Sequence, residues 1–309
     1  MSVREFKGKF LEKLLSLHWK QWSALGVASH VEPERKKVVD IESLIVSTSM
    51  LEEEDKRLYG ACLEWVIKHR DWVSETRLKR IGKILSAPFT VFDREIGLLN
   101  TLGLEAVENA LGKRAEKTEN FASKVAEIPG NYRTRSVVGE FNLKLPSLLQ
   151  LRLRGIFGTG ARAEIFLFLL LNSGGNSNSI SKEIYYDQKL VYRTLEAWNR
   201  AGLVSKLERK REGFYTLRMK KLWKELLGIK ELPSFINWPK TFRLLHKIWR
   251  VLSVREWEDE YLLSSFFREI SAEAKEVLSQ AGLELPEPSE FEAAAYFKPF
   301  LLKVFQLME

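Results

Sequence analysis

The chain has 309 residues, of which 45% are hydrophobic and 29% are charged. This composition is typical of a folded globular protein and excludes a largely disordered chain. The single cysteine, Cys62, excludes an internal disulfide framework and any metal site built from several cysteines. The longest apolar run, residues 165–171, is far shorter than the roughly 20 residues that span a bilayer, so we expect no membrane segment. The charged N-terminus does not resemble a signal peptide, and we expect a cytoplasmic protein.

The first 130 residues are predicted to form a helical domain. Apolar side chains recur at helical spacing through residues 3–24, 41–48, 51–70, 74–87 and 92–111. Asp40 and Ser74 stand in front of two of these helices and are typical N-cap residues. Cys62 falls on an apolar helix face, which favours an inert core thiol over a nucleophile.

The next segment, residues 131–159, follows a Pro-Gly turn signal and is predicted to be a basic linker or approach segment. Residues 160–219 then show helical patterns at 163–171, 180–186 and 189–201, followed by a strand-turn-strand pattern at 206–217. This order of elements is that of a winged helix-turn-helix.

Residues 220–309 are predicted to be a second helical region, with patterns at 220–229, 240–251, 255–281 and 290–307. The predicted fold class is therefore mainly α. It comprises a helical N-terminal domain, a central winged helix with a small β-hairpin wing, and a helical C-terminal region.

The net charge of +8 is concentrated in one part of the chain. Residues 131–220 contain 16 Lys and Arg against 7 Asp and Glu, whereas the rest of the chain contains 33 against 34. A localised basic surplus is expected of a protein that binds the phosphate backbone of a nucleic acid.

The third helix of the central unit has an apolar and a polar face. Val191, Leu195 and Trp198 form one apolar stripe, which we expect to pack on the first two helices. The opposite face and the wing tip are predicted to contact DNA, with nearby arginines as phosphate contacts. The predicted DNA-binding residues are Gln188, Lys189, Tyr192, Arg193 and Glu196 on the helix, Arg209, Lys210 and Arg211 at the wing tip, and Arg152, Arg154 and Arg162 before them.

Residues 160–217 resemble the winged-helix DNA-binding domains of bacterial and archaeal transcription regulators, in the broad manner of the MarR and ArsR families. The resemblance is carried by the apolar stripe of the third helix, the Ala-Gly-Leu-Val helix terminator at 201–204 and the Tyr-Thr-Leu strand at 215–217. It implies sequence-specific binding to double-stranded DNA, often as a homodimer on a palindrome. We therefore expect a transcription regulator rather than an enzyme, whose helical flanks dimerise or sense a small-molecule or protein effector.

Two other functions remain open from the sequence. The winged helix and its flanks are also compatible with a scaffold that binds another protein or RNA. A remote alternative is a nucleotidyltransferase-related enzyme that uses the glycine turn at 158–160, although no pair of aspartates follows this turn to hold Mg²⁺. The four histidines, His18, His30, His69 and His246, lie far apart in the sequence, so we expect no metal site and no cofactor.

Overall fold

The structure is a computed structural model that describes residues 3–86, 107, 137–209, 212–254, 260–292 and 295–309. Within these residues the chain is mainly helical and has one two-stranded antiparallel sheet, which confirms the mainly α prediction. Most of the segment 92–111, predicted to form one or two short helices, and the turn signal before residue 131 lie outside the described residues. No helix of the described ranges is both long and apolar enough to cross a bilayer.

The helices and strands are labelled in chain order. The first helices are α1 (Val3–Ala24), α2 (Ile41–Ser49), α3 (Lys56–His69) and α4 (Glu75–Leu85). The middle of the chain forms α5 (Leu149–Phe157), α6 (Ala161–Leu171), α7 (Ser177–Ile184), α8 (Gln188–Arg200), β1 (Val204–Arg209) and β2 (Glu212–Leu217). The last helices are α9 (Lys220–Leu226), α10 (Trp238–Val254), α11 (Glu260–Glu269), α12 (Ser271–Gln280) and α13 (Phe297–Met308). Helix α5 thus lies inside the segment that the sequence predicted to be a linker.

The starts of α2 and α4 are as the sequence predicts. The Asp40 carboxylate accepts a hydrogen bond from the backbone N–H of Ser43 at 3.1 Å, and the Ser74 hydroxyl accepts one from Arg77 at 3.4 Å. These caps satisfy donors that have no partner within the first turn of a helix. Cys62 is fully buried on α3, and burial raises the pKa of its thiol, which confirms a core position.

The N-terminal and C-terminal helices share one hydrophobic core. Helix α1 packs against both α10 and α13. The rings of Phe6 and Phe297 meet edge to face with their centroids 5.5 Å apart, and Phe10 stacks on Trp249 at 6.4 Å. Burying each such side chain contributes roughly 1.5–3 kcal/mol to folding. The helical N-terminal domain and helical C-terminal region that the sequence predicts as separate units therefore pack around one core.

A second core lies within the middle of the chain. It combines apolar residues of α5 to α9 with the inner face of the hairpin, and Phe166, Val191, Leu195 and Tyr215 are nearly or fully buried there. Val38, from the segment that leads into α2, also belongs to this core. The first and second cores therefore meet along the N-terminal end of α2.

Five charged side chains lie where the two cores meet. Asp40, Glu42, Arg77, Arg154 and Glu164 are each at most 8% exposed, and we call them the buried ion cluster. Arg77 on α4 forms ion pairs with Asp40 and, at 2.7 Å, with Glu42. Arg154 on α5 forms ion pairs with Glu42 at 2.7 Å and with Glu164 at 2.5 Å. Because these residues come from the starts of α2 and α6 and from α4 and α5, the cluster joins the first core to the second.

The prediction that Arg154 contacts a DNA phosphate is wrong. All five N–H groups of its guanidinium donate hydrogen bonds within the protein, to Glu42, to Glu164 and to the carbonyl oxygen of Trp72. No donor is left for a phosphate, and the side chain has no contact with solvent. The sequence shows a basic residue in a basic segment, but it does not show that two glutamates fold around it.

The two arginines keep the buried carboxylates ionised. Burial alone would raise the pKa of Asp40 and of Glu42, because a low-dielectric environment disfavours the charged form. The Arg77 guanidinium beside Asp40 and the Arg154 guanidinium beside Glu42 outweigh this effect, so the pKa of each carboxyl lies below its ordinary value. The cluster therefore remains charged at neutral pH.

We expect Arg154→Ala to lower the free energy of unfolding by about 3–5 kcal/mol, because it leaves Glu42 and Glu164 as uncompensated buried charges. Urea unfolding followed by circular dichroism measures this loss. Arg152→Ala is the matched control, since Arg152 is partly exposed on the same helix and its removal should cost less than about 1 kcal/mol. Equal losses for the two variants would contradict a structural role of the cluster.

Two of the four histidines meet inside the first core. His18 on α1 and His246 on α10 both contact the Ser47 hydroxyl at 2.7 Å. His18 Nδ1–H donates to the carbonyl oxygen of Leu14 at 2.8 Å, so its Nε2 accepts from Ser47, and Ser47 accepts in turn from His246 Nε2–H. Both rings are neutral in this chain of hydrogen bonds. Burial lowers the pKa of His18 to about 4 and, together with the neighbouring His18, that of His246 to about 3.

We expect the free energy of unfolding to fall as the pH drops below about 6.5. Both histidines take up protons near that pH in the unfolded chain but stay neutral in the fold, so the unfolded state binds more protons. Each histidine adds a slope of at most about 1.4 kcal/mol per pH unit. Urea unfolding across this pH range measures the slope. A His18→Gln variant should be less stable at neutral pH yet show a shallower slope, and an unchanged slope would refute the assignment.

Candidate nucleic-acid interface

Helices α7 and α8 begin with side-chain caps that lie at the molecular surface. The Asn176 side chain accepts a hydrogen bond from the backbone N–H of Ser179 at 2.7 Å, and the Asp187 carboxylate accepts one from Leu190 at 3.1 Å. Helix α7 therefore starts three residues earlier than the sequence predicts, inside what looked like a polar break. Its cap brings Asn and Ser side chains to the start of a helix, where first-turn N–H groups have no carbonyl partner in a preceding turn of the helix.

The turn between α7 and α8 is held by contacts to α4 in the N-terminal helical region and to the segment before α10 in the C-terminal one. Tyr185 has a φ angle of 60°, in the left-handed region that few non-glycine residues adopt. Its hydroxyl donates to the side-chain oxygen of Asn237 at 2.8 Å, just before α10. Arg77 of the buried ion cluster donates to the carbonyl oxygen of Ile184 at 3.0 Å, at the end of α7. The orientation of the helix pair is therefore set by contacts to α4 and to the start of α10.

Helix α8 has the buried and exposed faces that its sequence predicts. Val191 and Leu195 are fully buried, and the ring of Trp198 packs edge to face on that of Phe166 with centroids 6.2 Å apart. The opposite face is open to solvent. The exposed residues on its N-terminal half include Gln188, Lys189, Tyr192 and Arg193.

The two-stranded hairpin is also bridged to the loop between α6 and α7. Strands β1 and β2 pair in antiparallel register, with Val204 opposite Leu217 and Lys206 opposite Tyr215. Gly175, in the loop between α6 and α7, also pairs with Tyr215 through backbone hydrogen bonds of 3.1 and 2.9 Å. The glycine-rich loop thus connects the hairpin to the helices through a single isolated bridge. The sequence predicted only a loop here.

The wing tip lies only partly within the described residues. Arg209 is the last residue of β1, while Lys210 and Arg211 lie outside the described residues. The phosphate contacts predicted for this tip therefore remain predictions.

Glu196, one of the predicted DNA-binding residues, pairs with two side chains of the hairpin. Its carboxylate accepts a hydrogen bond from the Tyr215 hydroxyl at 2.5 Å and forms an ion pair with Lys206 at 3.0 Å. The hydrogen bond from Tyr215, followed by that from Lys206, lowers the pKa of Glu196. These contacts join α8 to both strands of the hairpin, and they neutralise a carboxylate that would otherwise repel phosphate.

A polar groove of about 400 Å³ opens between α7, α8 and the hairpin. Its lining residues are Asn176, Ser177, Asn178, Gln188, Lys189, Tyr192, Gly213 and Tyr215. The structure therefore brings the predicted residues Gln188, Lys189 and Tyr192 together along one wall. The opposite wall, at the start of α7, was not among the predicted DNA-binding residues, although the run Asn-Ser-Asn-Ser at 176–179 is a helix-start signal.

The other predicted phosphate contacts lie apart from the groove. Arg152 is half-buried on α5, Arg162 is exposed at the start of α6, and neither lines the groove. Arg193 lies on the exposed face of α8, one turn beyond Lys189.

The glycine turn at 158–160 connects α5 to α6. Gly158 has a φ angle of 81° and ends α5, and the Thr159 hydroxyl donates to the carbonyl oxygen of Asp71 at 2.8 Å. Glu164, the first acidic residue after the turn, belongs to the buried ion cluster. Among the residues that the structure describes, no group of three or more His, Cys, Asp or Glu side chains could hold a metal ion.

No protein-family model, no curated protein and no solved structure matches this chain. The assignment of the groove therefore depends on the geometry and chemistry of the chain itself.

We expect Gly174→Ala to destabilise the protein by more than about 1 kcal/mol. Gly174 has a φ angle of 123°, and an added Cβ would lie 2.4 Å from the carbonyl oxygen of Tyr215, so the backbone at the Gly175–Tyr215 pairing must shift. Thermal unfolding measures the loss. Gly8→Ala is the control, because Gly8 is exposed within α1 with no atom within 4 Å of its Cβ position, and it should stabilise by about 0.5–1 kcal/mol. The same sign for both variants would argue against the pairing.

Proposed function

We propose that residues 160–219 form a winged helix-turn-helix that binds double-stranded DNA sequence-specifically, and that the chain is a transcription regulator. The observation that carries this proposal is the polar groove, because it unites the exposed half of α8, the start of α7 and the hairpin on one accessible surface. The order of three helices followed by a hairpin supports the same assignment.

Helix α8 supplies the side chains that distinguish bases. The major groove of B-DNA is about 12 Å wide and admits one α-helix, whose first turns contact the base edges. The amide of Gln188 suits adenine, while Lys189 and Arg193 suit the two acceptors of guanine. Tyr192 is 47% exposed and suits a phosphate oxygen or the methyl group of thymine.

The far wall of the groove supplies donors for the DNA backbone. Asn176, Ser177 and Asn178 carry amide and hydroxyl groups at the start of α7, where backbone N–H groups and the helix dipole favour an anion. Lys210 and Arg211 at the wing tip add positive charge in this proposal. A phosphate backbone lying along the groove would place α8 in the adjacent major groove.

The basic surplus of residues 131–220 supports a nucleic-acid partner. Arg154 and Glu164 compensate each other inside the protein, and Lys206 compensates Glu196. Each of these pairs cancels one positive charge against one negative charge, so the surplus is carried by the remaining basic residues. Lys189, Arg193 and Arg162 are among them and are exposed. Exposed basic residues attract DNA through release of its counterions.

We expect Arg193→Ala to weaken binding to a preferred duplex by about 5- to 150-fold and to relax the preference at one base pair, because one base contact is worth roughly 1–3 kcal/mol. Lys210→Ala should weaken binding to all duplexes alike and reduce the salt slope by about 1. Fluorescence anisotropy at several salt concentrations, with duplexes selected from a random pool, measures both effects. Arg57→Ala, on the exposed surface of α3, is the control. A chain that binds no duplex even at low ionic strength would refute the proposal.

A further inference from the structure

The turn between α7 and α8 joins the two walls of the polar groove. The start of α7 forms one wall and the first turns of α8 form the other, so the angle at the turn sets the separation of the walls. Tyr185 in this turn has a φ angle of 60°, which few non-glycine residues adopt. Such a conformation persists only where surrounding contacts maintain it.

One buried amide supplies several of these contacts. Asn237 is 1% exposed and lies directly before α10. Its side-chain oxygen accepts a hydrogen bond from the Tyr185 hydroxyl at 2.8 Å and another from the backbone N–H of Lys240 at 3.1 Å. Its side-chain nitrogen donates to the carboxylate of Glu183, near the end of α7, at 2.7 Å. We call Asn237, Glu183 and Tyr185 the turn clamp.

The direction of each hydrogen bond in the turn clamp follows from the chemistry of its groups. The backbone N–H of Lys240 can only donate, so the amide oxygen of Asn237 faces it and the amide nitrogen faces Glu183. Burial raises the pKa of Tyr185 to about 12, so its hydroxyl keeps its proton at neutral pH. Because the amide oxygen also caps α10, the clamp joins the turn to the first turn of that helix.

We propose that Asn237 is a positioning residue for sequence-specific DNA binding, which holds the two groove walls at the separation that a duplex requires. Phosphate contacts from the start of α7 fix the register in which α8 meets the base edges. A loosened turn leaves the basic side chains free to attract phosphate, but it misaligns α8 with the bases. This role rests on the proposed function, whereas the turn clamp itself does not.

Asn237→Asp and Glu183→Gln, made singly and together in the full-length chain, test the role of the clamp. Asn237→Asp keeps the oxygen that caps α10, but it replaces the donor with a second carboxylate that repels Glu183. We expect it to weaken binding to the preferred duplex about tenfold, with unchanged binding to an unrelated duplex and an unchanged salt slope. Glu183→Gln alone should have little effect, because its amide can still present an oxygen to Asn237. In the double variant the new amide donates to the new carboxylate, so binding should return to that of the unmodified chain.

Asn142→Asp is the matched control for the added negative charge. Asn142 is exposed, and its side-chain oxygen accepts a hydrogen bond from the backbone N–H of Lys144 at 3.0 Å, which an aspartate can also accept. This variant should leave binding to both duplexes unchanged. Fluorescence anisotropy measures the binding of all the variants at several salt concentrations.

Amide hydrogen exchange provides a second measurement that contains no DNA. The backbone N–H groups of Tyr186 and Val191 form hydrogen bonds on either side of the turn, at 3.2 and 3.0 Å. Their exchange should become faster in Asn237→Asp and return to the original rate in the double variant, because exchange reports local opening. Asn142→Asp should not change it.

Three results would overturn the proposal. They are unchanged exchange at the turn in Asn237→Asp, equal weakening of its binding to both duplexes, and a double variant that fails to recover binding to the preferred duplex. If exchange responds as expected but the unmodified chain binds no duplex, the proposed function fails and the positioning role fails with it, while the turn clamp stands.

Discussion

The buried ion cluster is the constraint on which the rest of the structure depends. It places two guanidinium groups and three carboxylates where the first core meets the second, and each charge there is tolerable only because its partners are in place. Arg77 has a second task, since the same guanidinium donates to the carbonyl oxygen of Ile184 at the end of α7. The cluster that joins the two cores therefore also orients the helix pair that lines the polar groove. Movement of the groove relative to the helical body would expose or separate buried charges.

Buried ion pairs add little net stability compared with well-packed apolar residues, because desolvation offsets most of their attraction. Their main contribution is geometric specificity, since a guanidinium donates well only to acceptors that match the planar arrangement of its N–H groups. We infer that the cluster selects one arrangement of α2, α4, α5 and α6 among the many that apolar packing would allow. The contacts of Glu196 with Tyr215 and Lys206 do the same for α8 and the hairpin, at a more exposed position.

Local patterns predicted the parts of the structure that depend on local physics. The caps at Asp40 and Ser74 and the two faces of α8 follow from residue type and spacing within a few turns of helix. The remaining features depend on contacts between residues that are distant in the sequence. Burial of Arg154 requires Glu42 from α2, and the pairing of Gly175 requires Tyr215 from the hairpin. Helical periodicity shows that a face is apolar but not which element covers it, so the core shared by the two ends of the chain was also missed.

Burial decides which residues of the same type stabilise the fold and which remain accessible, and this limits what the proposed DNA-binding surface can do. Of the basic residues predicted to contact DNA, Arg154 is enclosed by carboxylates, whereas Lys189 and Arg193 on α8 are exposed and are proposed, with the wing tip, as DNA contacts. So few contacts give one copy limited affinity and a short site, since each base contact adds only roughly 1–3 kcal/mol.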